Sequence, residues 1–171
     1  KAEQDRINTL TTEKANCISD GDTVQIYNID LINKGGQAIL ALHGKHDLYW
    51  KKGDWSNSDG DWSLWTIHKW DHSGGCIKLN EPIYIKSKIR PDRRIRIRPG
   101  EAAAHNTFDG ENKLQADSQG TTYLQNNRNV YVRRHGVSAW YLGSEERGSG
   151  GDDHGRANVG KHNFTLKFWK V

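Results

Sequence analysis

The stretch KKGDWSNSDGDWSLW, residues 51–65, holds the densest set of side chains able to recognise a ligand. Trp55 and Trp62 flank Asn57, Asp59 and Asp61. An indole face stacks on the C–H side of a sugar ring, and neighbouring carboxylates or amides accept hydroxyl protons. Loops held by a rigid scaffold are a common seat for such groups. The same residues have a purely structural use, in which a Trp closes the core while Asn and Asp make Asx turns. An EF-hand calcium loop fails here, because its first ligand position would be Trp55. A looser calcium cage of Asn57, Asp59 and Asp61 stays open, and no other cofactor or metal is called for. Further along, GSGGDDHG (148–155) gathers Asp152, Asp153 and His154, as a second polar site or as a solvated loop.

The second chemical feature is basic. KSKIRPDRRIRIR (86–98) carries seven Lys or Arg against one Asp. Read as a strand, it sends Arg94, Arg96 and Arg98 to one face while Ile95 and Ile97 enter the core. With Arg93 these form a ladder suited to sulfate, phosphate or carboxylate through forked hydrogen bonds. Such charges also solubilise a strand and block edge pairing. The ladder has no interleaved aromatic residues of the kind that stack bases, which speaks against nucleic acid.

Signals for catalysis are sparse. The chain has no Gly-x-Ser-x-Gly elbow, phosphate loop or redox cysteine pair. His43, His46 and Asp47 have metal-ligand spacing but no evident further partner. The expectation is a non-catalytic binding protein.

These loops must be held by strands. Apolar positions alternate, as in TVQIYNI (23–29), and Gly-, Asn- or Asp-rich clusters break the chain about every ten residues. One frame occurs three times. Ile18, Ile77 and Leu124 are each followed six positions later by Val24, Ile83 and Val130, and two further on by Ile26, Ile85 and Val132. Closing strands follow in WTIHKW (65–70) and FTLKFW (164–169), with KLQADS (113–118) as the weaker middle copy. The repeats run 17–75, 76–120 and 121–171 within one domain of 171 residues, after an arm at 1–15 that forms a helical turn or a loose extension. Cys17 and Cys76 fall at matching places in two copies, as a disulfide or as two small buried thiols.

A repeat of four strands cannot bury its own apolar face, but three copies around one axis can. That architecture resembles the β-trefoil superfamily, which implies twelve strands, six in a barrel and six in hairpins that cap it. A Greek-key β-sandwich is the alternative. The resemblance implies a lectin, growth-factor-like, inhibitor or interaction module. The Gln-x-Trp motif of the ricin-type branch is absent from the sequence.

Net charge is +4, with no apolar run long enough to span a membrane. The first residue is Lys and the sequence holds no Met, which reads as a processed N-terminus, from a removed signal peptide or a trimmed tag; the expected location is secreted or cell-surface. The sequence thus leads to a module that binds glycans through Trp55, Asn57, Asp59, Asp61, Trp62, Asp152, Asp153 and His154. Its alternatives are an acidic polysaccharide held by Arg93, Arg94, Arg96 and Arg98, or a protein-interaction or inhibitor role. Oligomeric state is not encoded in any feature noted above.

Overall fold

Alternating apolar residues between turn clusters should give short antiparallel strands. The computed structural model describes residues 1–53, 56–145, 153–160 and 164–171. Strand accounts for 46% of the chain and helix for 13%, an all-β protein. The strands among the described residues are β1 (Thr23–Asn28), β2 (Ile39–His43), β3 (Asp47–Lys51), β4 (Ser56–Asn57), β5 (Gly60–Asp61), β6 (Trp65–Lys69) and β7 (Ile83–Ser87). They continue as β8 (Arg94–Arg98), β9 (Glu101–His105), β10 (Leu114–Asp117), β11 (Asn129–Arg134), β12 (Tyr141–Ser144), β13 (Asp153–Gly160) and β14 (Leu166–Lys170). Two helices, α1 (Ala2–Ala15) and α2 (Ile29–Ile32), and a 3-10 turn at Gly110–Asn112 complete the description.

The small β4–β5 hairpin stands apart, and the other twelve strands share one hydrogen-bonded network. Within it β1, β6, β7, β10, β11 and β14 pair in that order, and β14 returns to β1. This closed circuit leaves those six strands without a free edge. Three further hairpins, β2–β3, β8–β9 and β12–β13, extend from it.

The residues that open the repeated frame meet at one place. Ile18 donates its N–H to the Leu124 carbonyl (2.8 Å), Leu124 to Ile77 (2.7 Å) and Ile77 to Ile18 (2.9 Å). All three side chains are fully buried. Three residues on, Gly21, Asn80 and Asn127 all have positive φ and donate to the carbonyls of Ile67, Ala116 and Phe168. Glycine and asparagine are the residues that enter this left-handed region most readily.

Strand register revises one alignment. The hexapeptides 65–70 and 164–169 match at an offset of 99 in the sequence, yet Ile67 faces Ile85 while Phe168 faces Ile26. Ala116 faces Val132 in the middle copy. The equivalent residues are therefore Ile67, Ala116 and Phe168, preceded by Trp65, Leu114 and Leu166, all buried. A slip of two residues keeps every side chain on its own face, so alternation alone does not detect it.

The N-terminal arm is a full helix, not a single turn. Helix α1 has almost no buried face and is held at its end. The Glu13 carboxylate accepts the Thr122 and Tyr123 N–H groups, and Gln125 Nε2 donates to the Glu13 carbonyl. Just beyond the helix, Cys17 and Cys76 are joined by a disulfide with a Cα–Cα distance of 5.6 Å. Of the stretch 148–155, the described residues 153–155 are not a solvated loop but the start of strand β13, which pairs with β12 on one side and β3 on the other; 148–152 lie outside the described residues.

Candidate ligand-binding site

In the Trp/Asp/Asn loop, Asn57 and Asp61 are engaged by neighbouring protein donors. Trp62 is 8% exposed and packs in the core, so its ring faces are not available to a sugar. Asn57 Oδ1 accepts both the Trp62 indole N–H (2.9 Å) and the Asp59 N–H (2.8 Å), an Asx turn beneath the ring. Asp61 Oδ1 accepts the Ser63 N–H and hydroxyl. Only Asp59 of this set is an exposed, uncommitted carboxylate. Of the oxygens proposed for calcium, Asn57 Oδ1 and Asp61 Oδ1 accept from protein donors. No group of three or more His, Cys, Asp or Glu is placed to hold a metal among the described residues, His43, His46 and Asp47 included. Asp153 accepts the Gly155 N–H and lies 3.7 Å from Lys51, and buried His154 sits 3.0 Å from the Gln37 carbonyl. Trp55 and Asp152 lie outside the described residues.

The arginine ladder has the alternation read from the sequence, with Ile95 and Ile97 fully buried. Its charges, however, are answered from within. Glu101, on the adjacent strand β9, takes Arg96 at 3.1 Å and Arg98 at 3.0 Å. Arg94 lies over the Phe108 ring at 4.7 Å, and Arg93 contacts Asp92 and His46. Arg96 is 7% exposed, so the ladder is not an open anion surface. Burial alone pushes the Glu101 carboxyl up, but the Arg98 and Arg96 hydrogen bonds outweigh it and hold Glu101 below the usual carboxylate range.

An aromatic face beside amides does occur elsewhere, on the outer side of β1, β14 and β11. Leu166 and Phe168 point into the core, so alternation turns Lys167 and Trp169 outward. Register then sets Tyr27, Lys167 and Asn129 in one row across the three strands, with Trp169 opposite Gln25 in the next. Trp169 is 43% exposed, and among the described residues no ring or cation stacks on it. The Asn127 N–H bond to the Phe168 carbonyl fixes that asparagine beside Lys167 and Trp169. Helix α2 adds Ile29 and Ile32; its start is capped by Asn28, and Asp30 accepts the Thr165 N–H. Together these residues wall a hollow of about 290 Å³. A second hollow, of about 330 Å³ and lined by Ser118, Gln119, Arg128 and Asn129, shares Asn127 and Lys167 with it. The result is one groove with an apolar end at Trp169 and an amide-rich, cationic end at Arg128.

Three histidines make the fold sensitive to acid. Burial first, then Lys86, keeps His68 below the ordinary imidazole value, opposed by Asp20. Burial, Arg96 and His46 do so for His105, and burial, Lys113 and Arg133 for His135. Each folded pKa lies below that of the unfolded chain, about 6.5. The unfolded state therefore binds more protons in the interval between the two values. Stability is complete above about pH 6.5 and is lost as pH falls through the depressed values. The melting temperature should be lower at about pH 5 than at about pH 7.5, and His→Gln at 68, 105 and 135 should flatten that slope. A melting temperature that rises on acidification would contradict this assignment.

No protein-family profile matches the chain, and no curated protein matches it. Solved structures do. A Caenorhabditis elegans protein of unknown function superposes with a TM-score of 0.66 at 16% identity, covering 91% of this chain and 97% of its own. The SDF2-like protein from Arabidopsis thaliana superposes with a TM-score of 0.62 at 10% identity, covering 89% and 94%. At such identities the likeness is one of fold.

Proposed function

We propose that the chain is a non-catalytic, carbohydrate-binding module of β-trefoil architecture, working in an oxidising, extracellular setting. The trefoil reading is supported by the hydrogen-bonded triangle of Ile18, Ile77 and Leu124 and by the six-strand circuit around it. The Cys17–Cys76 disulfide favours a secreted or cell-surface location. The binding reading rests on one observation: an exposed Trp169 without a stacking partner at the apolar end of a groove lined by Asn127, Asn129 and Ser118. An indole takes the C–H face of a sugar, and amides exchange hydrogen bonds with its hydroxyls. No carboxylate lines this groove among the described residues, so it offers no acid–base pair for glycoside cleavage.

A second reading, an acidic glycan, is favoured by Lys167 and Arg128, two cations in the groove with no acid lining it. It moves the anion site away from the Arg94–Arg98 ladder. Salt separates the two: neutral stacking persists at high ionic strength, while binding through Lys167 and Arg128 collapses. A glycan array read at low and high salt identifies the ligand. Trp169→Ala should then weaken that ligand by about 2 kcal/mol, roughly thirtyfold. Unchanged affinity in this variant removes the groove as the site.

A further inference from the structure

The β2–β3 turn, hairpin β8–β9, Glu145 at the end of β12 and strand β13 border a cleft of about 490 Å³. Asp47 and His46 supply one wall, Arg98, Glu101 and His105 another, and Glu145, Arg156 and Asn158 the third. None of these residues belongs to the Trp169 groove. We propose that this cleft is a second, independent glycan site, and that it takes an uncharged sugar through its arginine–carboxylate pairs.

Charge among the described lining residues disfavours a ligand with a net charge. Arg98 is paired with Glu101 within one wall, and Arg156 with Asp47 across two, so each guanidinium in the cleft has a carboxylate beside it. Glu145 adds a third carboxylate to the cleft and accepts the Arg156 N–H. An anion entering here meets three acids, and a cation meets two guanidinium groups. A neutral polyol meets neither penalty. Each carboxylate has about four lone-pair sites and each guanidinium five N–H donors, so Asp47, Arg98 and Arg156 keep spare capacity, while Glu101 is engaged by Arg96, Arg98 and His105. Adjacent sugar hydroxyls, each a donor and an acceptor, match that arrangement.

Shape points the same way. Strand β9 reads EAAAH, and alanine is a poor strand former with little to pack. The corresponding strand of the first hairpin, β3, carries Leu48, Tyr49 and Trp50 in its middle. Along β9 the fully or largely buried Ala102 and Ala104 belong to the core cluster, while Ala103 lies between Glu101 and His105 on the opposite face. With Ala157 and Gly100 it gives the cleft a shallow aliphatic floor. His46 and His105 are stacked on one another at 4.5 Å and close one end.

This inference rests on the carbohydrate reading but on none of the groove residues, so the two fail separately. The test is a two-dimensional NMR titration of the 15N-labelled chain with mannose, galactose, glucose and N-acetylglucosamine in turn. At least one sugar should shift the amides of Ala103, His105 and Asn158 saturably, with the same affinity at low and high salt. Asp47→Asn and Ala103→Leu should each weaken that binding at least tenfold, the first by removing acceptor charge and the second by filling the floor, with unchanged melting temperatures showing that the fold is kept. Shifts confined to the Trp169 indole overturn the cleft site and leave the groove standing. Shifts confined to the cleft do the reverse, and a panel that moves neither overturns the cleft site as well. Binding that collapses with salt, or that survives Ala103→Leu, also overturns it.

Discussion

Replacing both Cys17 and Cys76 with serine should lower the unfolding free energy by about 4 kcal/mol. The bridge spans a sequence separation of 59 residues. Cross-linking a loop of that size removes an amount of chain entropy from the unfolded state worth about that much. The bond also ties the opening residues of the first and second repeats, next to the Ile18–Ile77 hydrogen bond. Folded domains keep only about 5–15 kcal/mol in total, so the loss is a large fraction of the margin. Denaturant titration of the wild-type chain and the double serine variant measures it. A difference under about 1 kcal/mol would mean that the unfolded chain is already held compact near these positions.

Trp65→Ala should cost about 3–5 kcal/mol. Trp65 is fully buried in the core and its indole N–H donates to the Leu40 carbonyl at 2.9 Å. The change leaves a cavity and strips a buried carbonyl of its donor. Trp65→Leu should cost less, because leucine occupies the equivalent places at Leu114 and Leu166. Thermal and urea unfolding of both variants gives the ranking. An alanine variant no weaker than the leucine one would contradict the equivalence of these three positions.

The repeated frame was legible because it is a local code. Six residues from Ile18 to Val24, then two to Ile26, fixes which side chains enter the core, and the same count recurs from Ile77 and Leu124. Alternation carries that information along β6 and the first part of β14, including the outward turn of Trp169 after buried Leu166 and Phe168. Trp169 closes the third repeat in the sequence, and Leu166 and Phe168 assign its face.

Other features depend on contacts that no local pattern reports. Trp62 stands in a loop with no period, so nothing in its neighbourhood tells whether the ring faces sugar or core; the Asn57 side chain decides it. The arginine ladder was visible, but Glu101 joins it through the β8–β9 register. Helix α1 lacks an apolar stripe and depends on Glu13 reaching Thr122 and Tyr123, more than a hundred residues away. Residues 153–160 are rich in glycine and charge, yet pairing on both sides imposes a strand.

The most direct measurement is the indole N–H resonance of Trp169 during titration with the best glycan from the array. The account predicts that it shifts saturably, together with the amides of Asn127 and Asn129, while the buried indoles of Trp50 and Trp65 stay in place. A glycan that binds while the Trp169 signal stays unmoved would contradict it.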